Sequence, residues 1–152
     1  MMKKLLVAIV GVATAAMSDT QLIKDGEGYR QCTYRDTMGI RTVCYGFNLE
    51  RGNARSQVQA AGGNYDNLMA GGCANQNICN KLLDNEVRNA RSIVSSQYGN
   101  SIKCSAAKAV VVDLAYNLGS GGLSQFRRFK SAIQAGNWDT AARELADSSY
   151  CR

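Results

Sequence analysis

The sequence predicts an α+β fold, mostly helical, in which a small hairpin lobe over about residues 17–75 is followed by a helical lobe over about 76–152. Three observations carry this. Residues 32–45 alternate about a polar turn, the period of paired strands. From residue 75 onward apolar residues recur at helical spacing. The 152 residues contain no proline, no internal repeat and no low-complexity linker, and suit one folding unit with a real core. A cleft between two such lobes would be a natural ligand site.

Residues 1–16 read as a secretory signal peptide, leaving 17–152 as a single mature domain. "MMKK" is a basic start, "LLVAIVGVA" an apolar run too short to span a bilayer comfortably, and Ala13-Thr14-Ala15 a small-residue end. Residues 18–28 predict a short helix that Ser18 or Asp19 can cap, with Leu22 and Ile23 on its apolar face and Gly26 and Gly28 weakening its end. Cys32 and Tyr34 share one parity before the turn Asp36-Thr37-Met38-Gly39, and Ile40, Thr42 and Cys44 alternate with Arg41, Val43 and Tyr45 after it. That is a β-hairpin. Residues 50–72 suggest short helices broken by "AGG" at 61–63 and 70–72. A longer amphipathic helix is expected over about 75–97, carried by Ile78, Leu82, Val87, Ala90 and Val94. "SAAKAVVVDLAYNL" at 105–118 is apolar nearly all round and predicts a central buried helix capped by Gly119. Amphipathic helices are expected at 123–136 and at 137–148, the last opening near Asn137 with Asp139 in its first turn.

Composition excludes several chemistries. With no histidine, neither Ser-His-Asp nor Cys-His catalysis of the usual kind is open, and the common catalytic zinc sites lose their ligands. No metal and no cofactor are expected, and proton transfers fall to carboxylates. Loss of Lys3 and Lys4 with the signal segment takes the 18 basic residues to 16, against 12 acidic ones. This mild excess suits an anionic surface such as a bacterial wall. No basic cluster with interleaved aromatics argues for nucleic acid, and no later segment argues for stable membrane insertion.

Six cysteines, Cys32, Cys44, Cys73, Cys79, Cys104 and Cys151, behind a signal peptide read as disulfides in an oxidising compartment. Six allow 15 pairings. The hairpin narrows one of them: if Tyr34 opposes Thr42, the same register sets Cys32 opposite Cys44, close enough to bond. Pairing of each with a cysteine elsewhere is the alternative.

The chemistry concentrates in "EGYRQCTYRDTMGIRT". Glu27 ends a helix between two glycines, Asp36 opens a turn nine positions on, and Thr42 follows after six more. Aspartate is common at such turn positions for its backbone hydrogen bonds alone. The pair nonetheless has a mechanism. Glycosidic cleavage uses one carboxylic acid to protonate the leaving oxygen and a second carboxylate for the water or the developing charge. A nearby hydroxyl can hold that water.

The stretch resembles the phage-type lysozymes, glycoside hydrolase family 24, in a Glu-Gly-large residue, an Asp nine on, a Thr six after that, and the glycines Gly39 and Gly46. "AYNLGSGGLSQF" at 115–126 is similar to the family's helix-to-helix turn, and "NWDTAARELADSSY" at 137–150 to its Trp-Asp-x-Ala-Ala helix. The resemblance implies a lysozyme-like domain with Glu27 as general acid, Asp36 as second acid and Thr42 positioning the water. It implies substrate contacts at Gly46, Phe47, Tyr116 and Asn117, with bacterial peptidoglycan as the partner, cut between N-acetylmuramic acid and N-acetylglucosamine. A secreted monomer acting in defence or digestion is expected. Phe47 stands where phage members commonly carry histidine, and six cysteines are unusual for phage enzymes made in the cytoplasm. The chain also stops at "SSYCR", before the segment with which family members usually continue, so a truncated form is one reading. A non-catalytic cationic wall-binding protein, a chitinase-like hydrolase and an exported phage endolysin are the rival readings.

Overall fold

Seven helices and three strands follow one another along residues 18–148, the part of the chain that the computed structural model describes. The expected signal segment and Cys151 lie outside the described residues. Helix α1 (Asp19–Glu27) begins as its sequence dictates: the Ser18 hydroxyl accepts the N–H of Gln21 at 3.2 Å and its carbonyl accepts that of Leu22. Arg91 grips Asp19 through two bonds of 2.6 and 2.7 Å, the main reason that carboxyl titrates below its ordinary value. Gly28, at φ 72, turns the chain out of the helix.

Strands β1 (Arg30–Arg35), β2 (Arg41–Cys44) and β3 (Phe47–Asn48) form an antiparallel sheet in that order. The expected hairpin is present, with Tyr34 opposite Thr42. Its Asp36–Gly39 turn is closed by Gly39 donating to the Asp36 carbonyl at 3.0 Å. The expected disulfide between Cys32 and Cys44 is not formed: Cys32 bonds Cys73, and Cys44 bonds Cys79. The register is broken between Arg30 and Tyr34, so that Arg30, not Cys32, opposes Cys44. Three residues of β1 there face one of β2, a bulge that swings Cys32 out of line. Segment 72–74 runs along the other edge of β1 instead. The N–H of Thr33 reaches the Gly72 carbonyl at 3.0 Å, that of Ala74 reaches the Gln31 carbonyl at 2.9 Å, and Cys32 opposes Cys73. Cys44 ends its strand at φ 63 and is buried with Cys79.

Helix α2 (Ala54–Ala60) ends at the first "AGG" break, α3 (Tyr65–Met69) lies between the two breaks, and α4 (Gln76–Tyr98) starts at an Asn75 side chain that accepts the N–H of Ile78. Helix α5 (Ser105–Ser124) consists of two helical segments that meet at the expected cap. Gly119 adopts φ 65 and ψ −175 and breaks the helix, which then resumes as far as Ser124. Helix α6 therefore starts later than its periodicity suggested, at Arg127–Ala135. It ends as the sequence indicated, on Gly136 in the left-handed region with the Asn137 N–H reaching back to the Ala132 carbonyl. Asn137 then caps α7 (Trp138–Ala146) by accepting from Thr140 at 3.1 Å.

The described residues divide into two compact units, one of residues 27–86 and one made of residues 18–26 together with 87–148. In the first, Val43, Leu49, Val58 and Leu82 are wholly buried. In the second, Ile23, Val111, Val112, Leu114 and Leu145 are, and α6 packs along α7. Burying a side chain of this size stabilises by about 1.5–3 kcal/mol.

Candidate active site

Glu27, Asp36, Thr42, Gly46 and Phe47 all belong to the 27–86 unit. Glu27 is half-buried at the last position of α1. Its carboxylate lies over the β2–β3 turn: a Cβ built on Gly46 would stand 2.9 Å from Glu27 Oε2. Only glycine leaves that space, and the φ of 81 at Gly46 also favours glycine. The turn is braced from the side. The Tyr45 ring packs against Tyr29 with centroids 5.2 Å apart, and Gln76 donates to the Tyr45 hydroxyl at 2.9 Å.

Asp36 serves the turn with one oxygen. Its Oδ1 accepts the N–H groups of Met38 at 2.8 Å and Ile40 at 2.9 Å, an arrangement that orients the carboxylate. Among the described residues Oδ2 makes no hydrogen bond, which leaves it open to a water or a substrate. Thr42 is 3% exposed and donates to the Ile40 carbonyl at 3.2 Å. The hydroxyl oxygen keeps its acceptor capacity.

Phe47 is 4% exposed, and the Arg51 guanidinium sits over its ring at 4.3 Å. Arg51 is in turn held by both oxygens of Glu86 at 2.6 Å. The Phe47 side chain is thus part of the core of this unit, and its backbone is what it can offer a ligand. Tyr116 and Asn117 lie on α5 in the other unit. Tyr116 is half-buried, and Asn117 is exposed and donates to the Asp113 carbonyl at 2.9 Å. Among the described residues no cluster of three or more histidine, cysteine, aspartate or glutamate side chains could hold a metal ion.

Tyr34 was not singled out from the sequence, although the register that pairs it with Thr42 places it on the same face of the sheet. Its hydroxyl titrates above its ordinary value. Burial is the main cause, Arg30 opposes it, and the charges of Glu27 and Asp36 add to it.

The chain as a whole matches a known family. The phage lysozyme family matches over residues 24–151, nearly the whole length of the chain. The chain belongs to that family, whose members are peptidoglycan-hydrolysing lysozymes, and it has the α+β lysozyme-like fold. No curated protein matches it.

Proposed function

We propose that the chain is a muramidase that hydrolyses peptidoglycan between N-acetylmuramic acid and N-acetylglucosamine. The observation that carries the reading is the placement of the Glu27 carboxylate over Gly46, in the same unit as an Asp36 with one oriented and one open oxygen. Glu27 donates its proton to the glycosidic oxygen as the bond breaks. Asp36 acts on the attacking water or on the positive charge that develops at the sugar carbon. Thr42 holds the water, which turns a random encounter into an oriented one. Water adds its hydroxyl to that carbon, and its proton leaves with the carboxylate or with solvent. Gly46 and Phe47 are the glycan contacts proposed in the 27–86 unit, and Tyr116 and Asn117 those proposed in the other.

The two disulfides favour an oxidising compartment and hence secretion, as does the leader-like segment 1–16. Among the described residues no helix is long and apolar enough to cross a membrane. We read the chain as a secreted monomer that attacks bacterial walls, in defence or in digestion, the disulfides and the leader-like segment supporting secretion. Turbidity of a Gram-positive wall suspension tests the reading. Wild type clears it, whereas Glu27→Gln keeps the fold and loses clearing, because an amide keeps the volume but donates no acidic proton. Clearing by a folded Glu27→Gln protein at the wild-type rate would overturn the muramidase assignment built on Glu27.

A further inference from the structure

Tyr34 stands directly opposite Thr42 across β1 and β2. Opposed residues of an antiparallel pair project from one face of the sheet with their Cβ atoms about 5 Å apart. The ring is half-buried, and its place is set by Arg30, whose guanidinium carbon lies 4.4 Å from the ring centroid. That stacking depends on the β1 bulge, which lies between these two residues. One side of the phenol is therefore occupied by a cation while its cross-strand neighbour is the candidate water-holding hydroxyl.

The electrostatics agree with the geometry. Glu27 and Asp36 both act on the Tyr34 hydroxyl, and both tighten its hold on its proton. A phenol in that field remains protonated through the neutral range, so it enters the site as a hydrogen-bond donor. Among the described residues the hydroxyl makes no hydrogen bond, and the donor is unspent. Catalytic hydrogen bonds are often long without substrate and tighten when it binds.

We propose that Tyr34 is a positioning residue of the hydrolytic site, its O–H donating to the open oxygen of Asp36 while Arg30 holds the ring. This rests on the muramidase reading above. A donor on Asp36 favours its charged form and fixes the direction in which it faces the water, and neither Thr42 nor the turn amides can supply that on Oδ2.

Tyr34→Phe tests it, since the ring and its contact with Arg30 stay and only the hydroxyl goes. Rates on soluble peptidoglycan fragments are measured against pH for wild type, Glu27→Gln and Tyr34→Phe, with melting temperatures alongside. The expected result is a kcat lower by about ten- to hundredfold with KM little changed. The acidic limb of the Tyr34→Phe profile moves to higher pH, because the base loses a donor to its charged form, and the melting temperature stays that of wild type. An unchanged rate and profile beside an inactive Glu27→Gln would overturn the role of Tyr34 and leave the muramidase reading standing. A shift confined to the basic limb would hand the hydroxyl to Glu27 and overturn the assignment to Asp36. Activity lost in proportion to a lowered melting temperature would make Tyr34 structural. A fully active Glu27→Gln would remove both the reading and the proposal.

Discussion

Gly46 is the position where one methyl group would meet the chemistry directly. A Cβ there lies 2.9 Å from Glu27 Oε2 and sits on a backbone at φ 81. The left-handed conformation costs a non-glycine residue roughly 1–2 kcal/mol. The clash is of another kind. The atom encountered is the far end of a flexible side chain, so the carboxylate moves and the turn stays. Gly46→Ala is therefore expected to melt only a few degrees below wild type, while wall clearing falls by about a hundredfold, the usual penalty for a reacting group displaced by about 1 Å. Clearing and thermal melting on the same preparation separate the two effects. Normal clearing with a lowered melting temperature would show that Glu27 does not need that approach over Gly46.

The elements show which parts of the fold were legible in the sequence and which were not. Local chemistry read correctly where the partner is a few residues away: Ser18 starts α1, Asn137 starts α7, Gly136 ends α6, and the Asp36–Gly39 turn makes the hairpin. What failed depends on distant partners or on an inserted residue. An alternation of period two carries no mark of a bulge, so the register extrapolated from Tyr34 and Thr42 placed Cys32 against Cys44. Nothing near β1 announced that segment 72–74 would pair with its free edge, or that residues 47–48 would add a third strand. Gly119 does end the first segment of α5 as expected, but the short second segment that follows it as far as Ser124 was not foreseen. At the site, Glu27 and Asp36 drew notice as a helix end and a turn opening, but acids at such intervals are common, and it was the resemblance to a family that set them and Thr42 apart. The corrected pairing carries its own expectation. The bridges close separations of 41 and 35 residues, for which chain entropy gives about 4 kcal/mol each, an upper figure. Replacing both Cys44 and Cys79 by Ala should lower stability to chemical denaturant by about 2–4 kcal/mol, and peptide mapping of the wild type without reduction should recover Cys32 with Cys73 and Cys44 with Cys79. Recovery of a peptide joining Cys32 to Cys44 would restore the simpler hairpin staple.

For the whole molecule, one group that makes stability depend on pH is Asp113. It lies on α5 beside the wholly buried Val112 and Leu114, is 4% exposed, and burial pushes its carboxyl from 3.8 up to about 6. A carboxyl raised in this way binds its proton more tightly in the folded chain than in the unfolded one. Its contribution is fully present below about pH 4 and is lost as pH rises through about 6, amounting to roughly 3 kcal/mol between those limits. Asp19 works in the opposite sense, because Arg91 lowers its carboxyl, and its contribution is lost only as pH falls below about 4. The two windows barely overlap, so the difference between wild type and one variant isolates Asp113. Asp113→Asn removes the titration and keeps the shape. Its melting temperature should exceed that of wild type at pH 7, and the gap should narrow as pH is lowered and close near pH 4. The gain at neutral pH stays below the full linkage value, since a buried amide needs hydrogen-bond partners that a protonated carboxyl needs less. Melting curves of both proteins at half-unit steps from about pH 4 to 7.5 measure this directly. A constant gap across that range would show that Asp113 does not titrate there, and would require an ionised partner for it inside the helical unit.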